Sequence, residues 1–314
     1  MSARTVRAVV LGGTGFLGRH LCRHLARSGY EVLALARRPA PLPAGCRFQR
    51  LDLTGVAPDR LAALLAAERA AVVVNAAGAL WEADDPAMVA LNAAAVDILL
   101  TALGMLRPAP RLVHLGSVYE YGRQPEGAEL TETSPADPRT TYARTKFRAT
   151  QDILSAGGHV AALVLRLSTV IGPDAPRQSL LGQLAAQLAG HPADPVPLEL
   201  PPLSGNRDFV DVRDVAGAVL AAARRPGVTG VLNIASGRLV PVRAAVRELI
   251  EISGRPVTAV TRLRGRPRRD DGFGAHRIVI DQARHRLGWT PTRGLTDALH
   301  ALWAQASPPQ KERP

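Results

Sequence analysis

Leu11-Gly12-Gly13-Thr14-Gly15-Phe16-Leu17-Gly18 follows an apolar run, Arg7 to Leu11, and opens a helical pattern from about Phe16 to Ser28. The run reads as a buried strand. Glycines between a strand and a helix have physical reasons to be there. Gly12 allows the tight turn, Gly15 lets a pyrophosphate approach the backbone, and Gly18 lets helix and strand pack closely. The helix start offers free N–H groups and the positive end of its dipole to phosphates. Gly12, Thr14, Gly15, Phe16, Leu17 and Gly18 are therefore the expected cradle of a dinucleotide. An ordinary strand–turn–helix connection is the plainer alternative.

Outward from this loop, strand and helix patterns alternate. Glu31 to Ala36, Arg47 to Leu51, Val72 to Asn75, Arg111 to Leu115 and Val160 to Leu167 read as strands. Leu61 to Glu68, Met88 to Leu106 and Tyr142 to Ala156 read as helices. Such repeats imply an α/β fold with a doubly wound parallel sheet and right-handed crossovers. After Gly172-Pro173 the character changes, and Asp174 to Asn206 lacks clean alternation. Order resumes with a strand at Arg207 to Val210 and a helix from Asp214, for which Asp211 or Asp214 could serve as N-cap. Val231 to Ile234 is a strand; Val242 to Ile252, Asp281 to Leu287 and Leu295 to Trp303 look helical. The expected division is a dinucleotide-binding domain, 1–173 plus 207–240, and a smaller, discontinuous substrate domain, 174–206 plus 241–306. Residues 307–314, rich in proline and charge, read as a disordered tail.

The 314 residues suffice for this division, and an apolar share of 46% suits a full core. No stretch reaches the roughly 18 uninterrupted apolar residues of a membrane span, so no membrane is expected. The N-terminus lacks a signal peptide's apolar segment, which makes cytoplasmic residence the expectation. Cys22 and Cys46 build no disulfide framework, and neither has Cys or His neighbours at metal-ligand spacing, so no metal is expected. The net charge of +12 raises nucleic acid as a partner. The excess is spread along the chain, and no nucleic-acid module is recognisable. Among 39 basic residues, lysine stands only at Lys146 and Lys311. In a chain that uses arginine wherever either cation serves, Lys146 stands out.

The second strand runs Val32-Leu33-Ala34-Leu35-Ala36 into Arg37 and Arg38. An enzyme choosing NAD normally ends this strand in Asp or Glu, for the ribose hydroxyl. Two guanidiniums suit a 2′-phosphate instead, so NADPH is favoured and NAD is the lesser expectation. Both arginines could also be merely solvated. Asp52-Leu53 could accept from the adenine amino group. The small residues Ala76, Ala77 and Gly78, after Asn75, leave room for a ribose. Tyr142 and Lys146 are four apart, so a helix places them on one face. A free phenol titrates near pH 10, and a neighbouring cation is expected to lower that value.

With these segments on the page, the chain resembles the extended short-chain dehydrogenase/reductases, the NAD-dependent epimerase/dehydratase group acting on nucleotide sugars. The similarity runs to about Trp303. Leu115-Gly116-Ser117-Val118-Tyr119-Glu120-Tyr121-Gly122 resembles the family segment ending in Tyr-Gly, which implies Ser117 as the catalytic hydroxyl beside Tyr142 and Lys146. Leu165-Arg166-Leu167 through Ile171-Gly172-Pro173 resembles the strand passing the nicotinamide. Arg207-Asp208-Phe209-Val210-Asp211-Val212-Arg213-Asp214-Val215-Ala216 is similar to a signature whose first arginine holds a nucleotide diphosphate. Asn233-Ile234-Ala235-Ser236-Gly237 and Leu287-Gly288-Trp289-Thr290-Pro291 resemble later landmarks.

The resemblance implies a Rossmann domain, a nucleotide-sugar substrate touched by Ser117, Tyr119, Arg207 and Arg268, and a homodimer through the helices at Met88–Leu106 and Tyr142–Ala156. Dehydratases of the group carry an acidic pair after the catalytic hydroxyl, where this chain has Val118 and Tyr119. Epimerases usually keep an acid after the second strand, where this chain has Arg37. What remains resembles NADPH-dependent 4-ketoreductases of deoxysugar and antibiotic biosynthesis, acting on a nucleotide-linked (dTDP) 4-keto-6-deoxyhexose. The competing readings are an epimerase with retained NAD and a non-catalytic dinucleotide sensor. The cluster Arg262, Arg264, Arg266, Arg268, Arg269 reads either as a diphosphate contact, a solvated loop or a nucleic-acid patch.

Overall fold

The structure, a computed structural model, describes residues 6–80, 83–125, 127–191, 194–262 and 274–307, with only the backbone at 259–262. Strands β1 (Val6–Leu11), β2 (Tyr30–Ala36), β3 (Cys46–Arg50), β4 (Val72–Asn75) and β5 (Arg111–Ser117) are followed by the short β6 (Glu129–Leu130), β7 (Ala162–Leu167) and β8 (Thr169–Ile171). Next come β9 (Val196–Leu200), β10 (Asn206–Asp211), β11 (Gly230–Ile234), β12 (Leu239–Pro241), β13 (Val257–Arg262) and β14 (Arg277–Ile278). Seven of them form one sheet in the order β11-β7-β5-β4-β1-β2-β3, every pair parallel. The chain thus winds outward both ways from β1, and the reversal between β1 and β4 opens a crevice at the strands' carboxyl ends.

A parallel sheet covered on both faces needs strands apolar on both sides. All four residues of β4, all seven of β5 and all six of β7 are buried. On one face α1 (Phe16–Arg27) packs beside α7 (Val212–Arg224), over Val10, Val32, Val113 and Leu165. On the other, α2 (Pro58–Ala67) and the helix spanning Asp85–Gly104, made of α3 (Asp85–Val89) and α4 (Ala95–Gly104), cover Val9, Leu33, Val73 and Leu112. Each such side chain taken fully from water contributes about 1.5–3 kcal/mol.

The helix at Asp85–Gly104 starts three residues before the expected Met88, capped by Asp84, which accepts from Ala87 N–H at 2.9 Å. It carries a π-helical turn at Ala90–Ala94. Its length and mean hydropathy of 1.8 would suit a membrane span by composition alone. Ala93, Val96, Leu99 and Leu103 are instead committed to the sheet's core.

The segment 174–206, which lacks clean alternation in the sequence, holds a helix, α6 (Leu180–Gly190), and strand β9. Ser179 caps the helix by accepting from Gly182 N–H at 3.1 Å. Leu181, Leu184, Ala185 and Leu188 share one helical face, while Val196, Leu198 and Leu200 are buried alternately along β9. The prolines disguised this pattern: Pro197 is tolerated because it faces outward from a two-strand ladder with β13. These residues join Ala245, Leu249, Leu299 and Leu302 in a separate core. Ile278, Ala283, Leu287 and Trp289 pack with the large sheet's core. Asp211, and not Asp214, caps α7, accepting from Arg213 N–H at 2.7 Å.

Candidate active site

The glycine loop joins β1 to α1 at the crevice. Gly12 has φ +74°, and a Cβ there would sit 2.8 Å from Ala77 Cα, so the loop touches the backbone after β4. A Cβ on Gly18 would fall 2.1 Å from the Gly12 carbonyl oxygen. The N-cap of α1 is Gly15, exposed and without a side-chain capping bond. Its only close neighbour in the Cβ direction is the Gly12 oxygen, at 3.3 Å. An uncapped helix start opening into free space fits a pyrophosphate. Thr14 is tied to the next loop, donating from Oγ1 to Arg38 O at 3.1 Å.

Arg37 and Arg38 are exposed at the end of β2. Asp52 accepts from Thr54 N–H and Oγ1, at 3.0 and 2.8 Å. These bonds, with the charges of Arg37 and Arg50, hold its carboxyl below the usual range. The Leu53 side chain belongs to the core, which leaves its backbone as the part available to an adenine. This corner of the crevice is cationic.

Ser117 ends β5 and starts a 3₁₀ turn, Val118–Tyr121, accepting from Tyr119 N–H at 3.2 Å. Its hydroxyl lies close enough to the Tyr142 phenol to favour the ionised form. Tyr142 and Lys146 lie on α5 (Thr141–Ser155), capped by Thr140, which accepts from Ala143 N–H at 3.1 Å. Tyr119 meets the Tyr142 ring edge-on, with centroids 6.2 Å apart. The structure thus brings Ser117, Tyr119, Tyr142 and Lys146 together.

It also corrects one expectation. Lys146 does not draw the phenol's pKa down. Burial pushes Tyr142 up to about 12, against the opposing influence of Ser117. The ammonium is committed elsewhere, donating to Leu115 O. Burial pulls Lys146 itself down to about 8, against the attraction of Glu120.

Arg207 stands on β10, with Nη1 donating to Asn206 O at 2.9 Å. Arg268, with Arg264, Arg266 and Arg269, and the tail at 308–314 lie outside the described residues. Three further polar residues were missed in the sequence. Asn92, in the π-helical turn, accepts from Ala79 N–H at 2.7 Å and donates to Ala79 O at 2.8 Å and Thr145 Oγ1 at 3.3 Å. It thereby pins the loop after Gly78 to α5. A lone asparagine in Ala90-Leu91-Asn92-Ala93-Ala94 was the available signal. Glu120 and Arg166 form a buried ion pair beside Ser117, at 2.9 Å. Among the described residues no group of His, Cys, Asp or Glu could hold a metal.

A dinucleotide loop, a parallel sheet reversing at the crevice and a Ser–Tyr–Lys set define an oxidoreductase-type domain. The chain belongs to the NAD dependent epimerase/dehydratase family, whose model matches residues 8–235. It is 41% identical to a dTDP-6-deoxy-L-talose 4-dehydrogenase (NAD(P)(+)) of Kitasatospora kifunensis, over 96% of each chain. It is 31% identical to a Streptomyces antibioticus protein named "Probable dTDP-4,6-dihydroxy-2-methyloxan-3-one 4-ketoreductase", over 73% of this chain and 70% of that one. Among solved structures it resembles MoeE5 in complex with UDP-glucuronic acid and NAD, with a TM-score of 0.83 and 27% identity over 95% and 98% of the two chains. The chain is a nucleotide-sugar-modifying enzyme of this NAD(P)-dependent family.

Proposed function

We propose that this enzyme reduces the 4-keto group of a nucleotide-linked 4-keto-6-deoxyhexose, with dTDP as the expected nucleotide and NADPH as the reductant. The observation that carries the reading is the convergence of Ser117, the half-buried Tyr142 phenol and the Lys146 ammonium at the end of β5, with the phenol's pKa raised so that it can act as an acid. When bound at the glycine loop, the dinucleotide supplies the hydride. Tyr142 then protonates the oxygen of the developing alkoxide. Ser117 hydrogen-bonds the same oxygen and stabilises charge that grows in the transition state. Lys146 holds the site's positive charge and a compact donor for the nicotinamide ribose.

Elimination of water fits less well. Val118 and Tyr119 carry no acid, and Glu120 is fully buried with both oxygens engaged. The names of two relatives, a 4-dehydrogenase and a 4-ketoreductase, support chemistry at that carbon. Arg37 and Arg38 support NADPH, Arg207 is assigned to the substrate diphosphate, and Arg268 is a further candidate for it. A homodimer would cover Val89 and Leu154, exposed on the two long helices, and Met105, exposed directly after the first.

The test is NADPH oxidation across a panel of 4-keto nucleotide sugars, with the bound cofactor of the purified protein identified beforehand. Turnover with a 4-keto-6-deoxy sugar supports the proposal. Tightly retained NAD and interconversion of 4-epimers would replace it with the epimerase reading.

A further inference from the structure

Glu120 is a fully buried carboxylate three residues past Ser117. Oε1 accepts from the Ser117 N–H at 2.8 Å, and Oε2 accepts from Arg166 Nε at 2.9 Å. The fold is shaped around it. A Cβ on Gly116 would fall 2.6 Å from Glu120 Oε1, so glycine precedes Ser117. The Arg166 guanidinium lies 4.6 Å from the centroid of the Tyr121 ring, and the Tyr121 hydroxyl donates to Asn233 Oδ1 at 2.7 Å.

A buried ion pair is weak evidence for stability, because apolar residues of similar volume often replace one without loss. Its position suggests a different use. Lys146 donates to Leu115 O, and Glu120 accepts from Ser117 N. Ammonium and carboxylate therefore hold Leu115 and Ser117, the two ends of a three-residue segment that closes β5. We propose that Glu120 is a positioning residue of the proton-transfer site, which holds the Ser117 backbone in place and keeps Lys146 an ammonium through its charge. The role given to Lys146 rests on the Ser117–Tyr142–Lys146 reading above.

The titratable and charged groups facing this point are His114 from β5, Tyr119 and Tyr121 from the 3₁₀ turn, Tyr142 from α5 and Arg166 from β7. Burial holds His114 well below its ordinary range, and Lys146 lowers it further, so it adds no charge at neutral pH. Glu120 is the charge opposing the loss of the Lys146 proton.

The chain's two lysines allow a direct test. Lysine labelled with ¹³C at Cε gives two resonances, and Lys311→Arg assigns them. The full chain is titrated without substrate. Glu120→Gln should lower the Lys146 midpoint by about one pH unit or more, since an opposite charge nearby is worth that much. Glu120→Asp keeps the charge and should titrate like the wild type. Equal midpoints in the wild type and Glu120→Gln overturn the proposal. If the Gln variant does not fold, Glu120→Asp decides. Its shorter reach frees the Ser117 N–H, and kcat should fall roughly tenfold, with an unchanged KM for the nucleotide sugar. Wild-type kcat or a shifted midpoint in that variant overturns the proposal. The titration needs no turnover, so its outcome is separate from the ketoreductase reading, which fails if the wild type oxidises no NADPH with any 4-keto sugar.

Discussion

Lys146 donates a hydrogen bond from Nζ to the carbonyl of Leu115, two residues before Ser117. This bond ties α5 to the end of the central strand and puts a cation under the proton-donating pair. The pKa of Lys146 is lowered to about 8, chiefly by burial. A lysine with a lowered pKa keeps its proton below that value and loses it above. The expected result is that kcat/KM for ketone reduction falls as pH rises through about 8. Lys146→Arg should reduce turnover at least tenfold, although it keeps the charge. Its planar fork cannot replace a compact ammonium in a buried slot. Steady-state rates from pH 6 to 10 check both statements, and a Lys146→Arg enzyme of near-normal turnover would remove lysine from the proton path.

Tyr142 supplies the second prediction. A phenol raised to about 12 by burial stays protonated at every working pH, which suits an acid. General acid catalysis by a positioned group is worth about 10²–10⁴-fold. Tyr142→Phe should lose at least a hundredfold in kcat while binding NADPH as the wild type does. Fluorescence titration of NADPH beside the rate measurement separates the two effects. Loss of both together would make Tyr142 a structural residue.

Cofactor choice is the third. Arg37 lies close enough to Asp52 to help hold its carboxyl ionised, and no acid ends β2. A charge-assisted contact contributes about 1.5–3 kcal/mol, roughly ten- to a hundredfold. Arg37→Ala should cut the preference for NADPH over NADH by that factor. An unchanged ratio of kcat/KM values would place the 2′-phosphate elsewhere.

Substrate binding gives the fourth. If Arg207 holds the diphosphate as proposed, Arg207→Ala should raise KM for the nucleotide sugar tenfold or more, with KM for NADPH nearly constant, because a bidentate guanidinium–phosphate contact would be lost. If free, unphosphorylated ketones are reduced as well as nucleotide sugars, Arg207 holds no diphosphate.

The parallel sheet was legible because its strands are apolar throughout and glycine marks the first turn. Ser117, Tyr142 and Lys146 were legible because their spacing resembles that of a family. The helix at Leu180–Gly190 was not, although Leu181, Leu184 and Leu188 carry its period. The run Pro192-Ala193-Asp194-Pro195-Val196-Pro197 drew attention to a break and away from the pattern on either side. Glu120 escaped for another reason. In sequence a glutamate between two tyrosines looks solvated. Only the parallel pairing of β5 with β7, which sets Gly116 beside Arg166, brings Arg166 against it. The expectation for Tyr142 failed because spacing on a helix gives direction and says nothing about burial, which raises the phenol's pKa while the ammonium is engaged by Leu115 O.

Two glycines of the dinucleotide loop should respond differently to the same added methyl group. At Gly18 a Cβ would fall 2.1 Å from Gly12 O and 2.7 Å from Gly13 Cα, both backbone atoms with nowhere to go. Gly18→Ala should therefore push α1 away from β1. Overpacking of this kind costs about 1–3 kcal/mol, and the melting temperature should fall with it. At Gly15 a Cβ would meet only Gly12 O, at 3.3 Å, and the residue is exposed. Gly15→Ala should keep the melting temperature of the free protein within a degree or two of the wild type, because a surface change away from packing is usually worth less than about 0.5 kcal/mol. It should nevertheless weaken NADPH binding tenfold or more, by filling the space where a pyrophosphate would approach the helix start. Thermal melts with and without NADPH distinguish the cases: Gly18→Ala lowers both curves, whereas Gly15→Ala loses only the increment that cofactor adds. If Gly15→Ala binds NADPH normally, the phosphates do not sit on the α1 N-terminus.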